Sequence, residues 1–150
     1  MIRSSLAVLG VATAAVMGLG AAAVAGELVV QITIVRASES GPSDAQLVQF
    51  RPRLRRLVGY RSYRVIQDER RRCSWGNREA FPIPGGRLLH VVPKGMREEA
   101  VLMQIQLLEG PRALVDTDVR LQNRGVMLFG VSQGVPPGEG PLIIMVRAED

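Results

Sequence analysis

The chain has 150 residues and a formal net charge of +5, with 19 basic and 14 acidic side chains. A chain of this length builds one domain with a sizeable core and is too short for two. Cys73 is the only cysteine, which excludes an intramolecular disulfide, so packing must stabilise the fold. We expect Cys73 to be buried, because it points to the same face of a predicted strand as Trp75. The alternative is an intermolecular disulfide with another chain.

The N-terminal stretch predicts export. No charge appears between Arg3 and Glu27, and the stretch closes on Ala23-Val24-Ala25, the small-x-small pattern that a signal peptidase cuts. We therefore predict a signal peptide over residues 1–25 and a single domain over 26–150, located in the periplasm or outside the cell. The alternative is a retained N-terminal membrane anchor, since about 20 apolar residues can span a bilayer. The alanine and glycine content and the cleavage pattern favour removal.

Most of the remaining chain predicts short strands. Apolar residues alternate over 28–35, 101–107 and 113–121, which is the period of a strand with one buried face. The segment from Leu142 to Val146 is apolar on both faces, which favours the middle of a sheet. We predict a mainly β fold, a small β-sandwich or partly open barrel of about 7–8 strands with one short helical segment.

Turn residues predict how these strands connect. Pro84-Gly85-Gly86 predicts a hairpin turn, and Pro82 places the preceding arm at a sheet edge, because proline cannot donate to a strand ladder. Lys94-Gly95 is predicted to open the next connection, and Gln122 to Gly125 to form a later turn. The Gly/Pro-rich segment over 132–140 predicts a loop before the final strand.

One segment has helical spacing. Leu47, Phe50, Leu54 and Leu57 recur at intervals of three and four residues, which predicts a helical insert over about 44–58. Pro52 fits two short helices, or one restarted with proline in its first turn. We expect this insert to cover one open end or edge of the sheets.

The sequence supplies few groups for catalysis. His90 is the only histidine and lies in a predicted strand. It could act as a general base for Cys73 as the nucleophile, but no glycine-rich elbow or third catalytic partner accompanies the pair. Asp116 and Asp118 share one strand face, yet two carboxylates fall short of the six to eight oxygens that Ca²⁺ takes. We predict no enzyme, no cofactor and no metal site.

An arginine cluster is the most unusual feature. Ten arginines lie within the 28 residues from Arg51 to Arg78, opposed only by Asp68 and Glu69. Arginine favours forked contacts to carboxylate or phosphate. The predicted contact residues are the arginines of this cluster and the tyrosines between them: Arg53, Arg55, Arg56, Arg61, Arg64, Arg70, Arg71, Arg72, Tyr60 and Tyr63.

The cluster leaves three interpretations open. The first is a docking surface for an envelope protein, which would make the chain a structural or adaptor component. The second is a binding site for a polyanion or anionic lipid. The third is a solvated face without a partner. Predicted export argues against cytosolic nucleic acid. Tyr60, Tyr63 and Trp75 would anchor a protein interface if exposed and would belong to the core if buried.

Two resemblances accompany these patterns. The segment from Asp116 to Gly130 resembles a strand–turn–strand segment of outer-membrane secretins, with Asn123-Arg124 at the place of their Asp-Gly turn. The whole layout, including Gly59 to Arg64 and the Pro-Gly-Gly-Arg turn, is similar to small exported β-rich proteins of Gram-negative bacteria. This resemblance implies the compartment and the β fold, and it implies no activity.

Overall fold

The computed structural model describes residues 27–131 and 140–150. The predicted signal peptide over 1–25 lies outside the described residues, as does nearly all of the loop predicted over 132–140. The chain forms eight strands: β1 (Glu27–Ser38), β2 (Ser62–Ser74), β3 (Glu79–Ile83), β4 (Arg87–Arg97), β5 (Ala100–Glu109), β6 (Arg112–Gln122), β7 (Val126–Val131) and β8 (Leu142–Glu149). Between β1 and β2, a 3₁₀ helix (Ala45–Phe50) leads directly into α1 (Arg51–Leu57).

The strands form two antiparallel sheets of four strands each. The first sheet has the order β2-β1-β8-β7 and the second has the order β3-β4-β5-β6. The prediction of a mainly β fold with about 7–8 strands and one short helical segment is confirmed. As predicted, β3 is an edge strand and β8 lies inside its sheet, between β1 and β7.

The main core lies between the two sheets. Alternate residues of β1 point inwards, and Leu28, Val30, Ile32 and Ile34 are fully buried there. The second sheet contributes alternate apolar residues of β4 and β5 to the same core. Burial of one face per sheet follows from the two-residue period of a strand, and it gives the layered packing of a sandwich.

The helical segment packs on the outer face of the first sheet. Its buried Leu47 and Leu54 contact Val35 of β1 and Met145 of β8, on the side of the sheet away from the main core. The expectation that the helix covers an open end or edge is therefore wrong. Odd-numbered positions near the end of β1 are apolar, so this part of the outer face needs a cover of its own.

A second correction concerns the connection after β4. The strand continues past Lys94-Gly95, where the register shifts, and ends at Arg97, which pairs with Ala100. The turn consists of Glu98 and Glu99, with φ of 52° and 65°. Two-residue hairpin turns of type I′ take positive φ at both positions, which asparagine and glycine adopt most readily. Two glutamates gave no turn signal, so the sequence pattern placed the connection at the nearest glycine.

Side chains of β2 close one edge of the sandwich. Arg71 Nη1 donates to the carbonyl oxygen of Ala80 at 2.6 Å, and its guanidinium lies 4.4 Å from the ring centre of Phe81. Gln67 Nε2 donates to the carbonyl oxygen of Pro82, also at 2.6 Å. These bonds occupy backbone acceptors along the free edge of β3, which would otherwise be open to another strand.

Candidate binding surface

The net positive charge belongs to one segment of the chain. Residues 27–74 carry ten basic and five acidic side chains, an excess equal to the +5 of the whole chain. Residues 75–122, which contain the whole second sheet, carry six of each. The charge asymmetry therefore follows the architecture: the second sheet is neutral, and the first sheet with its helices is cationic.

We call residues 45–57, the 3₁₀ helix and α1, the helical layer. Asp44 fixes its start, because Asp44 Oδ2 accepts the backbone N–H of Val65 at 2.7 Å. Leu47 and Leu54 provide the buried contacts. Beyond α1, the Tyr63 hydroxyl donates to the carbonyl oxygen of Val58 at 2.6 Å and ties the chain after the helix to β2. The layer is therefore held at both ends and presents a defined outer surface.

The outer surface of the helical layer combines arginine with exposed apolar side chains. Arg55 and Arg56 are exposed on α1, in its last turn, where positive charge also complements the helix dipole. Val48 is 64% exposed and Leu57 is 41% exposed. Arg53, Arg56, Leu57 and Leu128 of β7 line a shallow groove. Single exposed apolar side chains are common on protein surfaces, and the distinguishing feature here is that Val48 and Leu57 share one layer with several arginines.

The predicted contact residues divide among several places. Arg53, Arg55 and Arg56 lie together on α1, and Arg53 Nη2 also donates to the carbonyl oxygen of Val126 at 2.6 Å. Arg70 and Arg72 lie on the outer face of the first sheet at its other end, as their pairing with β1 requires. Arg61 and Arg64 are exposed at the start of β2. Arg71 instead points between the sheets, where it contacts Glu69, Ala80 and Phe81.

The two tyrosines differ from the arginines. Tyr63 is only 1% exposed and packs in the apolar cluster beneath the helical layer, so it belongs to the core. Its hydroxyl also accepts the backbone N–H of Tyr60 at 3.1 Å. Tyr60 is half-buried against the same cluster, and Trp75 is half-buried against the main core. The aromatic residues between the arginines therefore serve the fold, and Val48 and Leu57 are the exposed apolar groups of this surface.

A pocket opens where the helical layer meets the outer face of the first sheet. Its floor holds four polar side chains from three strands, Gln31, Thr33, Asp68 and Arg147. Residues of the 3₁₀ helix form one wall and apolar side chains of the sheet the other: Gln46, Leu47, Gln49, Phe50, Val65, Val126 and Met145. We call this cavity, with a volume of about 130 Å³, the Arg147 pocket.

Two charged groups in the pocket floor differ in their hydrogen bonds: the Asp68 carboxylate has partners, whereas Arg147 Nε has none among the described residues. The Asp68 carboxylate accepts from Thr33 Oγ1 at 2.8 Å and from Gln31 Nε2 at 3.0 Å. Arg147 Nε is buried and has no hydrogen-bond partner within the part of the chain that the structure describes. Register explains why these charges do not pair: Arg147 lies opposite Gln31, and Asp68 lies opposite Thr33 from the other side of β1.

Sequence reasoning missed this pocket. Gln31, Asp68 and Arg147 come from β1, β2 and β8, which the strand order places side by side although they are distant in the chain. The available signal was weak: Gln31 and Thr33 are polar positions facing away from the main core, and Arg147 interrupts an apolar strand. Strand order, which was not predicted, was needed to bring them together.

The groups considered for catalysis are kept apart. Cys73 is 1% exposed on the inner face of β2, while His90 points to the outer face of the second sheet, opposite Gln106. Burial raises the pKa of the Cys73 thiol to about 11, with a further rise from the Glu79 carboxylate that Arg71 partly offsets. The thiol is therefore protonated near neutral pH, and a protonated thiol is a poor nucleophile.

Asp116 and Asp118 point outwards from β6, as predicted. Gln104 Nε2 and Gln106 Nε2 donate to the Asp116 carboxylate at 3.2 Å and 3.1 Å, and Lys94 Nζ lies 3.1 Å from Asp118 Oδ1. Hydrogen bonds from Gln106 and then Gln104 lower the pKa of Asp116. Within 27–131 and 140–150, no three histidine, cysteine or carboxylate side chains are grouped as a metal site would require.

No protein-family model, curated protein or solved structure matches this chain. Among the described residues, no helix has the length and apolar character needed to cross a membrane.

Proposed function

We propose that the protein is an exported binding module with a structural or adaptor role, and that it holds an acidic protein of the cell envelope against its helical layer. The observation that carries this proposal is the combination of exposed Val48 and Leu57 with Arg53, Arg55 and Arg56 on one layer. Protein interfaces commonly have an apolar centre with arginine among the residues that contribute most to binding.

Charge complementarity supports an acidic partner. The excess of positive charge lies in residues 27–74, and Arg55 and Arg56 have no carboxylate within ion-pair distance in the described part of the chain. A partner with carboxylates around an apolar centre would match both features. Arginine suits such contacts because its planar fork donates two parallel hydrogen bonds to one carboxylate.

The alternative proposal is a polyanion or anionic-lipid site on the same arginines. It uses Arg53, Arg55 and Arg56 but gives no role to exposed Leu57. A site that neutralises three phosphates, with a slope of about −0.9 per phosphate, loses roughly 40-fold in affinity between 50 and 200 mM salt. An interface with an apolar centre loses much less, because part of its binding free energy comes from buried apolar surface.

The test is a charge-reversal pair with a matched control. Arg55→Glu with Arg56→Glu changes the helical layer, and Arg97→Glu with Arg112→Glu makes the same charge change on the second sheet, where both side chains are exposed. After in-cell crosslinking and identification of the captured protein, we expect the first pair to abolish its capture and the second to preserve it. Equal loss in both pairs, or no loss in either, would contradict the proposal.

The captured protein is then purified and titrated at low and physiological salt. A fall in affinity of about tenfold or less supports an interface with an apolar centre, whereas a fall of roughly 40-fold or more would show that charge alone carries the contact and would contradict the apolar centre. Export is tested separately by the mass of the protein from cells. Cleavage after Ala25 would leave a chain beginning at Gly26, and an intact N-terminus would favour the anchor.

A further inference from the structure

We propose that the Arg147 pocket is a binding site for a small monocarboxylate with an apolar body. The proposal stands independently of the helical layer's role, because it rests on a different set of side chains. Its starting point is Arg147 Nε, which is buried at a cavity of about 130 Å³ and has no hydrogen-bond partner among the residues that the structure describes. A buried donor without a partner is costly, so native structures that keep one commonly keep it for a ligand or bound water.

No group in the described part of the chain bonds to Arg147 Nε, and the register of the sheet explains why. Thr33 and Gln31 already hold the nearest pocket carboxylate, Asp68, on the β2 side of β1. Glu149, two residues further along β8, lies 3.3 Å from Arg124 Nε. On its other side Arg147 faces Val126 of β7, which is apolar. Asp68 and Glu149, which share this face with Arg147, thus have partners of their own.

Arg70 of β2 is a second cation in the same cross-strand row as Arg147. Gln31 lies between Arg147 of β8 and Arg70 of β2 in the cross-strand pairing, and all three point to the outer face. Neighbouring strands lie about 4.8 Å apart. Arg70 lines a neighbouring cavity and not the Arg147 pocket, so it adds to the positive potential near Gln31 while Arg147 alone supplies the guanidinium within the pocket.

The walls select the rest of the ligand. Leu47, Phe50, Val126 and Met145 give the pocket an apolar side, which stabilises an aliphatic chain by removing it from water. Asp68 in the floor disfavours a second carboxylate. The volume equals that of roughly four waters at ~30 Å³ each, well below the ~300 Å³ of the smallest drug-sized sites. These limits fit a monocarboxylate with about three to five carbons.

Nuclear magnetic resonance gives the direct test, because the Arg147 Nε–H signal reports on the group the ligand must reach. Propionate, butyrate and valerate are titrated into the purified protein, with butanol and butylamine as controls that lack the carboxylate. For ligands of this size we expect dissociation constants of about 1 mM. The Nε–H signal should move downfield with the acids and stay in place with both controls.

Variants then assign the effect to the pocket. Arg147→Gln should weaken butyrate binding at least about tenfold, and Arg147→Lys should weaken it less, because lysine keeps the charge and loses the fork. The control is Arg124→Gln, which removes an exposed arginine of the same sheet that is paired with Glu149. It should leave butyrate binding unchanged.

Two results would overturn the proposal. One is an Arg147 Nε–H signal that no carboxylate moves, and the other is equal butyrate binding by Arg147→Gln and the unaltered protein. If Arg147→Gln fails to fold, the titration of the unaltered protein still decides the matter. Thermal unfolding adds an independent readout: a site kept for a ligand predicts that Arg147→Met unfolds at a higher temperature.

Discussion

The outer faces of the two sheets differ in how their polar groups are satisfied. On the second sheet, Lys94 pairs with Asp118, Arg120 pairs with Glu98, and Asp116 accepts from two glutamines. On the first sheet, Arg55 and Arg56 have no ion pair with another described residue and lie on the same helical layer as exposed Val48 and Leu57, and a pocket holds Arg147 Nε, which has no partner within 27–131 and 140–150. The second face also holds a buried His90 Nδ1 without a partner among the described residues and an exposed Leu88, so the contrast is one of charge: ion pairs balance much of the charge on the second face, whereas the first carries an excess of arginine beside apolar side chains.

This difference separates stability from function within one small fold. Both sheets bury the main core, and the first also buries a second apolar cluster beneath the helical layer, so packing explains the layer but not the arginines on its outer surface. Unpaired cations next to exposed apolar side chains add little to stability, whereas they are typical of interfaces. The contrast therefore supports a binding role for the first face and a supporting role for the second.

Removal of the helical layer's anchor should have the largest effect on this contrast. Leu54 is fully buried, and Leu54→Ala should lower the free energy of unfolding by about 2–5 kcal/mol because it leaves a cavity beneath α1. Leu88 is 41% exposed on the outer face of the second sheet, the bare face, and Leu88→Ala should change the free energy of unfolding by less than about 0.5 kcal/mol. Urea denaturation measures both, and trypsin should cut the Leu54→Ala variant faster at Arg55 and Arg56. Equal destabilisation by the two changes would show that α1 is not anchored as described.

The turn between β4 and β5 offers a stabilising change away from the binding face. Glu99 has a φ of 65°, a conformation that glycine adopts without the side-chain clash of other residues. We expect Glu99→Gly to raise the free energy of unfolding by about 1 kcal/mol and to leave partner capture and butyrate binding unchanged. The change keeps the Glu98 ion pair with Arg120 and the backbone carbonyl that Asn123 N–H contacts. A loss of stability in urea denaturation would contradict this account of the turn.

The ion pairs of the second face should contribute little individually. A double-mutant cycle on Lys94 and Asp118 should give a coupling free energy of about 0.2–1 kcal/mol, because both side chains are solvent-exposed. The coupling should fall further in high salt. A value above about 2 kcal/mol would mean that pairing on this face stabilises the fold more than exposed pairs usually do.

The smallest expected effect is a pH response on the same face. Hydrogen bonds from Gln106 and Gln104 hold the pKa of Asp116 below its ordinary value of 3.8, so ionised Asp116 favours the folded state above that value. This contribution disappears as pH falls through the lowered pKa. Gln106→Met should raise the Asp116 pKa towards 3.8 in a carboxyl titration followed by nuclear magnetic resonance. Gln31→Met, on the other sheet, should leave it in place, and a similar rise in both variants would refute the assigned cause.

The sequence predicted the fold better than it predicted the surface. Alternation identified most strands, Pro82 marked an edge, and the doubly apolar β8 marked an interior strand, because each of these signals is local. The place of α1 was predicted wrongly, because apolar spacing shows that a face is buried but not which surface covers it. Tyr63 could not be assigned from sequence either, since its burial depends on an acceptor, the Val58 carbonyl, supplied by the fold.

The central claim is that the helical layer, and not the bare face of the second sheet, contacts a partner. Leu57 and Leu88 test it most directly, because both are 41% exposed and they lie on opposite sides of the sandwich. A photo-crosslinking amino acid is placed at one position or the other, and the protein is irradiated in its native envelope. The account predicts a discrete protein adduct from position 57 and none from position 88. An adduct from position 88 alone, the same adduct from both positions, or none from either would contradict it.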